Sequence, residues 1–177
     1  MFSRITEEKG VTDAIHAIAA VNRRHGSETA VLDLYGPVDP DYENALASLI
    51  SENGGWVKYR GTAAPESSVD VLKEYDFLLF PTQRFSREGI PGTVIDALCA
   101  GVPVIARQWK YAHEMLTHGY NGFCYSFDEP EMLTHWIEYA ITHPESILEM
   151  KKNCLTSAAG YRMEQVAPQI CRKLAEN

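Results

Sequence analysis

SREGIPGTVIDALCAGVPVIA, residues 86–106, decides the fold. It carries one acid, Glu88, then a Gly-Ile-Pro-Gly turn, and a second acid, Asp96, eight residues on. The turn predicts a helix from about Pro91 to Ala100. Proline suits a first helical position, where its missing N–H costs nothing, and Gly101 supplies the stop. The apolar run that follows, 102–106, predicts a strand buried on both faces.

Outward from this unit, the same alternation fills the chain. Strands are predicted at 1–4, 29–36, 56–61, 76–81 and 122–127. Between them lie helical patterns over 10–26, 40–55, 66–75 and, more briefly, 111–119. In the first helix Ala14, Ile15, Ile18 and Ala19 share a face. Three closing helices are expected after residue 127. The last carries Met163, Val166, Ile170 and Leu174 at helical spacing. Apolar strands alternating with helices predict an α/β fold: a doubly wound, Rossmann-like parallel sheet flanked by helices. No repeat or linker divides the chain, so residues 1–177 are read as one domain.

The net charge of −8 disfavours a nucleic-acid partner, which needs clustered positive charge. It leaves room for a small phosphorylated ligand held by local cations and a helix N-terminus. The four cysteines, Cys99, Cys124, Cys154 and Cys171, are scattered and form no C-x-x-C pair. They are expected to be buried reduced thiols rather than a zinc site. No run reaches membrane-spanning length, and the start of the chain has no secretory leader pattern, so a cytoplasmic location is expected.

In an open parallel sheet, ligands bind beyond the carboxyl ends of the strands. The residues expected there are Arg4 and Lys9 after strand one, Gly36 after strand two, Arg60 after strand three and Thr82 after strand four. Glu88 to Val94 follow just beyond. A helix starting near Pro91 would present free N–H groups at Gly92, Thr93 and Val94, which together with the helix dipole favour a diphosphate. Asp96 could accept hydrogen bonds from a ribose diol. Arg4 and Lys9 would face the phosphates from the opposite wall. Each element alone also reads as an ordinary turn or solvated charge; their shared location makes the site.

These motifs resemble the C-terminal, donor-binding domain of retaining GT-B glycosyltransferases, family 4 or group 1. Glu88-x7-Asp96 followed by DALCAGVPVIA is similar to the family's E-x7-E element and its following strand. SRITEEKGVTDAIHAI, YGPVD, YRGTA, FLLFPT and HEMLTHGYNGFCYSFDEPEML resemble its other signature stretches, in order, over nearly the whole chain. The resemblance implies one half of a GT-B architecture that binds a UDP- or GDP-sugar for retaining, metal-independent transfer, with no cofactor. It implies that Arg4 and Lys9 contact the diphosphate, Glu88 the transferred sugar, Asp96 the ribose, and Gly92, Thr93 and Val94 the phosphates. Gly36, Arg60, Thr82 and Ile90 would complete the nucleotide-sugar site. Surface polysaccharide or glycolipid synthesis is the implied setting.

There are departures. Asp96 stands where Glu is usual. Residues 82–87 form a longer loop with Arg84 and Arg87. Bulky Trp109, Lys110 and Tyr111 replace a Gly-Gly loop, which would alter access to the sugar. The chain begins where the second domain of such enzymes begins. An acceptor-binding domain is therefore expected on the same full-length chain or on a partner chain, with any peripheral attachment to the inner face of a membrane belonging to that half. The alternative is a non-catalytic partner or recognition subunit that keeps the half-fold.

Overall fold

A computed structural model describes residues 1–53 and 55–161. Five short strands, β1 (Leu32–Leu34), β2 (Val57–Tyr59), β3 (Leu78–Phe80), β4 (Val104–Arg107) and β5 (Gly122–Tyr125), alternate with six helices. These are α1 (Val11–His25), α2 (Glu43–Glu52), α3 (Ser68–Leu72), α4 (Gly92–Cys99), α5 (Met132–Thr142) and α6 (Pro144–Ala158). All pairings are parallel: β1 with β2 in one sheet, and β3-β4-β5 in another.

Every residue of β3 and β4 is buried, and successive side chains enter opposite cores. Leu79, Ile105 and Phe123 pack into one core with Ile15 and Ile18 of α1 and Leu133 and Ile137 of α5. Leu78, Phe80, Val104 and Ala106 pack into a second with Val94 and Leu98 of α4 and Cys154 of α6. A strand buried on both sides needs apolar residues at every position, which is why 77–81 and 102–106 read as continuous apolar runs. The doubly wound α/β expectation is met.

Four expectations need correction. The leading strand is two isolated parallel bridges, Phe2↔Tyr35 and Ile5↔Val38, rather than a continuous ladder. Gly36, at φ 136°, interrupts the partner strand between them. Pro91 is the N-cap of α4, in extended conformation at φ −74° and ψ 119°, so the helix begins one residue later, at Gly92. The short helix expected over 111–119 is only a 3-10 turn, Ala112–Glu114. Cysteine burial also differs: Cys154 is buried, but Cys124 is half-buried and Cys99 lies at the surface of α4. Cys171 and the apolar stripe Met163, Val166, Ile170 and Leu174 lie outside the described residues.

The opening segment nevertheless hydrogen-bonds along β1 and its extension in parallel register. Ser3 N–H donates to Tyr35 O at 2.9 Å, Tyr35 N–H to Met1 O at 3.0 Å and Ile5 N–H to Pro37 O at 2.9 Å. The Met1 amine itself donates to Asp33 O at 2.7 Å. Burial lowers the pKa of this amine from 8.0 to about 5, against the opposing pull of the Asp33 carboxylate. Between those pH values the unfolded amine holds a proton that the folded one has released. Stability should therefore rise with pH across this window, by up to about 1.4 kcal/mol per pH unit, and be lost as pH falls towards 5. Urea denaturation from pH 5 to 8 tests this against the Nα-acetylated chain, which should lack that contribution. Coincident profiles would contradict it.

Candidate active site

The site grows from two turns. The first is the 3-10 turn Glu7–Lys9, which hands the chain to α1 through Gly10 at φ 72°. A Cβ on Gly10 would lie 2.0 Å from Pro81 O, so a side chain is excluded where the α1 entry crosses the end of β3. The second is the loop from β3 to α4. Its Gln83 N–H donates to Glu8 O at 2.8 Å, stitching the two turns together.

This crossing brings together three of the expected site residues. Lys9 Nζ donates to Glu88 Oε1 in a largely buried ion pair. The same oxygen accepts from Thr82 Oγ1 at 3.1 Å and Ser86 Oγ at 2.9 Å. Burial pushes the Glu88 carboxyl up, but the hydrogen bonds from Lys9 and Ser86, the Lys9 charge and the Thr82 bond outweigh it and hold the carboxyl below its ordinary value. Glu88 is thus an anion with fixed orientation, and Lys9 a cation anchored beside it.

α4 starts four residues beyond Glu88. Among the described residues the N–H groups of Gly92 and Thr93 have no backbone partner, and the Thr93 hydroxyl is buried without one. The Val94 amide donates to Pro91 O at 3.0 Å. That corrects the expectation of three free donors: with Pro91 as N-cap, its carbonyl closes the first turn onto Val94.

The other expected residues are placed differently. Asp96 Oδ2 accepts from Ser68 Oγ at 2.8 Å, which ties α4 to α3. Arg60 Nε donates to Asp33 Oδ2 at 2.9 Å. Gly36 lies at the β1 end, where a Cβ would sit 1.8 Å from Ser3 O. Its N–H donates to Gly61 O at 2.9 Å, and its carbonyl accepts from the Tyr59 hydroxyl at 3.0 Å. Arg4 is exposed at the end of the opening segment, and Ile90 is exposed beside α4. Arg84 pairs with Asp128 at 2.6 Å.

Sequence reasoning missed the support behind the pair. Arg107, at the end of β4, is 5% exposed. Its guanidinium meets Asp13 Oδ2 at 2.7 Å and Gln83 Oε1 at 2.7 Å, and Gln83 Nε2 donates to Asp13 Oδ2 at 2.8 Å. This network locks the start of α1 to the loop that carries Glu88. The rule that flagged Arg4, a cation at the carboxyl end of a strand, applied equally to Arg107. Trp109 is also turned inward: its ring packs on Phe80 at 5.2 Å, and its indole N–H donates to Gly89 O at 2.9 Å. It braces the loop rather than obstructing the crevice.

Chemically, these turns carry an anchored ammonium and a fixed carboxylate, and four residues beyond Glu88 the amide end of a helix, groups suited to an anionic ligand with hydroxyl groups. Residues 1–143 match the family described as Glycosyl transferases group 1. The amylovoran biosynthesis glycosyltransferase AmsK of Erwinia amylovora is 27% identical over 124 residues, covering 68% of this chain and 30% of that protein. Anabaena Alr3699/HepE, solved in complex with UDP, superposes with a TM-score of 0.84 at 24% identity, over 99% of this chain and 48% of that one. The C-terminal domain of a group 1 family protein, LpcC, from Francisella tularensis gives 0.76 at 15% identity, over 89% and 82%. The chain therefore spans under half the length of the first two, and its fold is the Rossmann-like half of a GT-B architecture.

Proposed function

Because the chain belongs to the group 1 glycosyl transferases, we propose that it is the donor-binding half of a retaining, metal-independent glycosyltransferase. The observation that carries this reading is the Lys9–Glu88 pair set just ahead of the amide end of α4. A nucleoside diphosphate sugar needs cations and amide donors for its phosphates and an acceptor for its sugar hydroxyls. On this reading Lys9 and the amide end of α4 serve the phosphates, and Glu88 the sugar hydroxyls.

In the reaction, the bond from the anomeric carbon to the diphosphate oxygen breaks, a bond to an acceptor hydroxyl oxygen forms with the same configuration, and the hydroxyl proton passes to the departing diphosphate. The electron pair and negative charge of the broken bond leave on the nucleoside diphosphate. Lys9, Arg4 and the Gly92 and Thr93 amides stabilise that charge as it develops, without reorganising. Glu88 orients the sugar, and Asp96, held by Ser68, keeps one carboxylate oxygen for the ribose. Gly36, Arg60, Thr82 and Ile90 shape the nucleotide seat.

Relatives support the finer assignments. The Anabaena complex contains UDP, which favours a uridine diphosphate sugar over a guanosine one. The Francisella structure is a C-terminal domain, in keeping with an acceptor-binding half on the same or a partner chain. The Erwinia relative is named for the biosynthesis of amylovoran, in keeping with a biosynthetic role; surface polysaccharide or glycolipid synthesis on the cytoplasmic side of the membrane is part of the proposal. Calorimetric titration of the 177-residue chain with UDP, GDP and their glucose conjugates tests the assignment. Saturable binding of UDP, tighter than that of GDP, is expected, and absence of any saturable binding would contradict it.

A further inference from the structure

Glu88 stands on a loop that does not hold itself. Within 83–89, Arg84, Phe85, Arg87 and Gly89 are exposed. Phe85, the one large apolar side chain of this stretch, is 68% exposed. A side chain left in water gains nothing from packing, so apolar burial does not fix the loop. Polar contacts do, and two of them reach it from the exit of β4.

Arg107 takes the near end. Its Nη1 donates to Gln83 Oε1 and its Nη2 pairs with Asp13 Oδ2, both at 2.7 Å, and Nη1 also lies 3.5 Å from Pro81 O. Two residues on, the Trp109 indole N–H takes the far end through Gly89 O at 2.9 Å. The exit is itself fixed. Gln108 N–H donates to Tyr125 O at 2.9 Å, and Trp109 N–H to Arg107 O at 3.0 Å.

The choice of partners is informative. Burying a guanidinium is costly, so such a pair is weak evidence for stability. Its geometry says more. Asp13 comes four residues after Lys9, and Gln83 five before Glu88. One buried side chain therefore grips both segments whose meeting makes the Lys9–Glu88 pair. The bond from Gln83 Nε2 to Asp13 Oδ2 closes the ring.

We propose that Arg107 is a positioning residue for donor binding. With Trp109 it clamps the Glu88 loop at both ends and against the start of α1, so that Lys9 and Glu88 are in contact before any ligand arrives. This rests on the reading of that pair as part of the donor site. At 5% exposed, Arg107 is covered and acts through Gln83 and Asp13 rather than on the ligand. A site held in this way binds without first ordering its own loop.

The test exchanges the polar ring for an apolar one, Arg107→Met with Asp13→Leu and Gln83→Leu, so that no buried charge is stranded. In the ligand-free 177-residue chain, ¹³C NMR titration of the Glu88 carboxyl should show its midpoint moving up towards the ordinary carboxylate value, because Lys9 is no longer held beside it. UDP should bind about tenfold more weakly, and that loss should vanish in a chain that already carries Lys9→Met. Trp109→Phe removes the bond to Gly89 and should shift both readouts the same way by less; it decides the matter alone if the triple variant fails to fold. Phe85→Ala should change neither. A Glu88 midpoint unmoved in the folded variants, or a loss of UDP affinity equal with and without Lys9→Met, would overturn the proposal. Absence of UDP binding in the unaltered chain would count against the donor reading alone, and the Glu88 titration would still decide the clamp.

Discussion

Replacing Gly10 by alanine should destabilise the chain by about 3 kcal/mol or more, lowering Tm by roughly 6–12 °C. Two effects add. Gly10 lies at φ 72°, where an L side chain is strained. The new Cβ would also fall 2.0 Å from Pro81 O, a backbone atom with no flexible end to yield. Relief requires the α1 entry and the end of β3 to move apart, and these are the two segments that bring Lys9 to Glu88. Donor binding should therefore fall together with stability. Gly26→Ala is the control. It has a similar φ of 66° but open space at the Cβ, so it should cost about 1 kcal/mol and leave binding intact. Differential scanning calorimetry with UDP titration of both variants checks the contrast.

The second large effect is at Lys9. Lys9→Met keeps the apolar stem and removes the charge. If the ammonium contacts the diphosphate, UDP affinity should fall roughly 10- to 100-fold, the value of a charge-assisted hydrogen bond. Glu88→Gln should act in the opposite direction. In the free protein Glu88 neutralises Lys9 at contact distance, so an incoming diphosphate must share that cation with a carboxylate. Removing the negative charge should raise UDP affinity a few-fold. A purely structural ion pair would lose stability in both variants and change UDP affinity in neither. The opposite signs thus separate a binding role from a scaffolding one. Lys9→Met also takes away a partner that helps keep Glu88 ionised. The stability that Glu88 contributes above its ordinary pKa, and loses as pH falls through its depressed one, should shrink in that variant.

Much of this was legible in the order of residues. Both-face apolar runs at 77–81 and 102–106 identified buried parallel strands, because such strands have no solvent face to alternate towards. The Gly-Ile-Pro-Gly turn and Gly101 bracketed α4 to within a residue at its start. Lys9, Thr82 and Glu88 were collected by one topological rule and do meet. What could not be read depends on contacts distant in sequence. Arg107, Asp13 and Gln83 form one network although they are far apart along the chain. Trp109 looked like an obstruction because nothing in its neighbours reveals that its indole reaches Gly89. Val94 was assigned a free amide because the phase of the first helical turn depends on whether Pro91 is inside the helix or caps it. The split between the two sheets has no local signal at all.

The central claim is that a diphosphate sits at the start of α4, opposite an anchored ammonium. Amide NMR of the ¹⁵N-labelled chain during titration with UDP measures it residue by residue. The account predicts saturable shifts that are largest at Gly92 and Thr93, with matching changes at Lys9, all lost in Lys9→Met at the same UDP concentration. Saturable binding that leaves Gly92 and Thr93 unmoved while shifting another face of the molecule would contradict it.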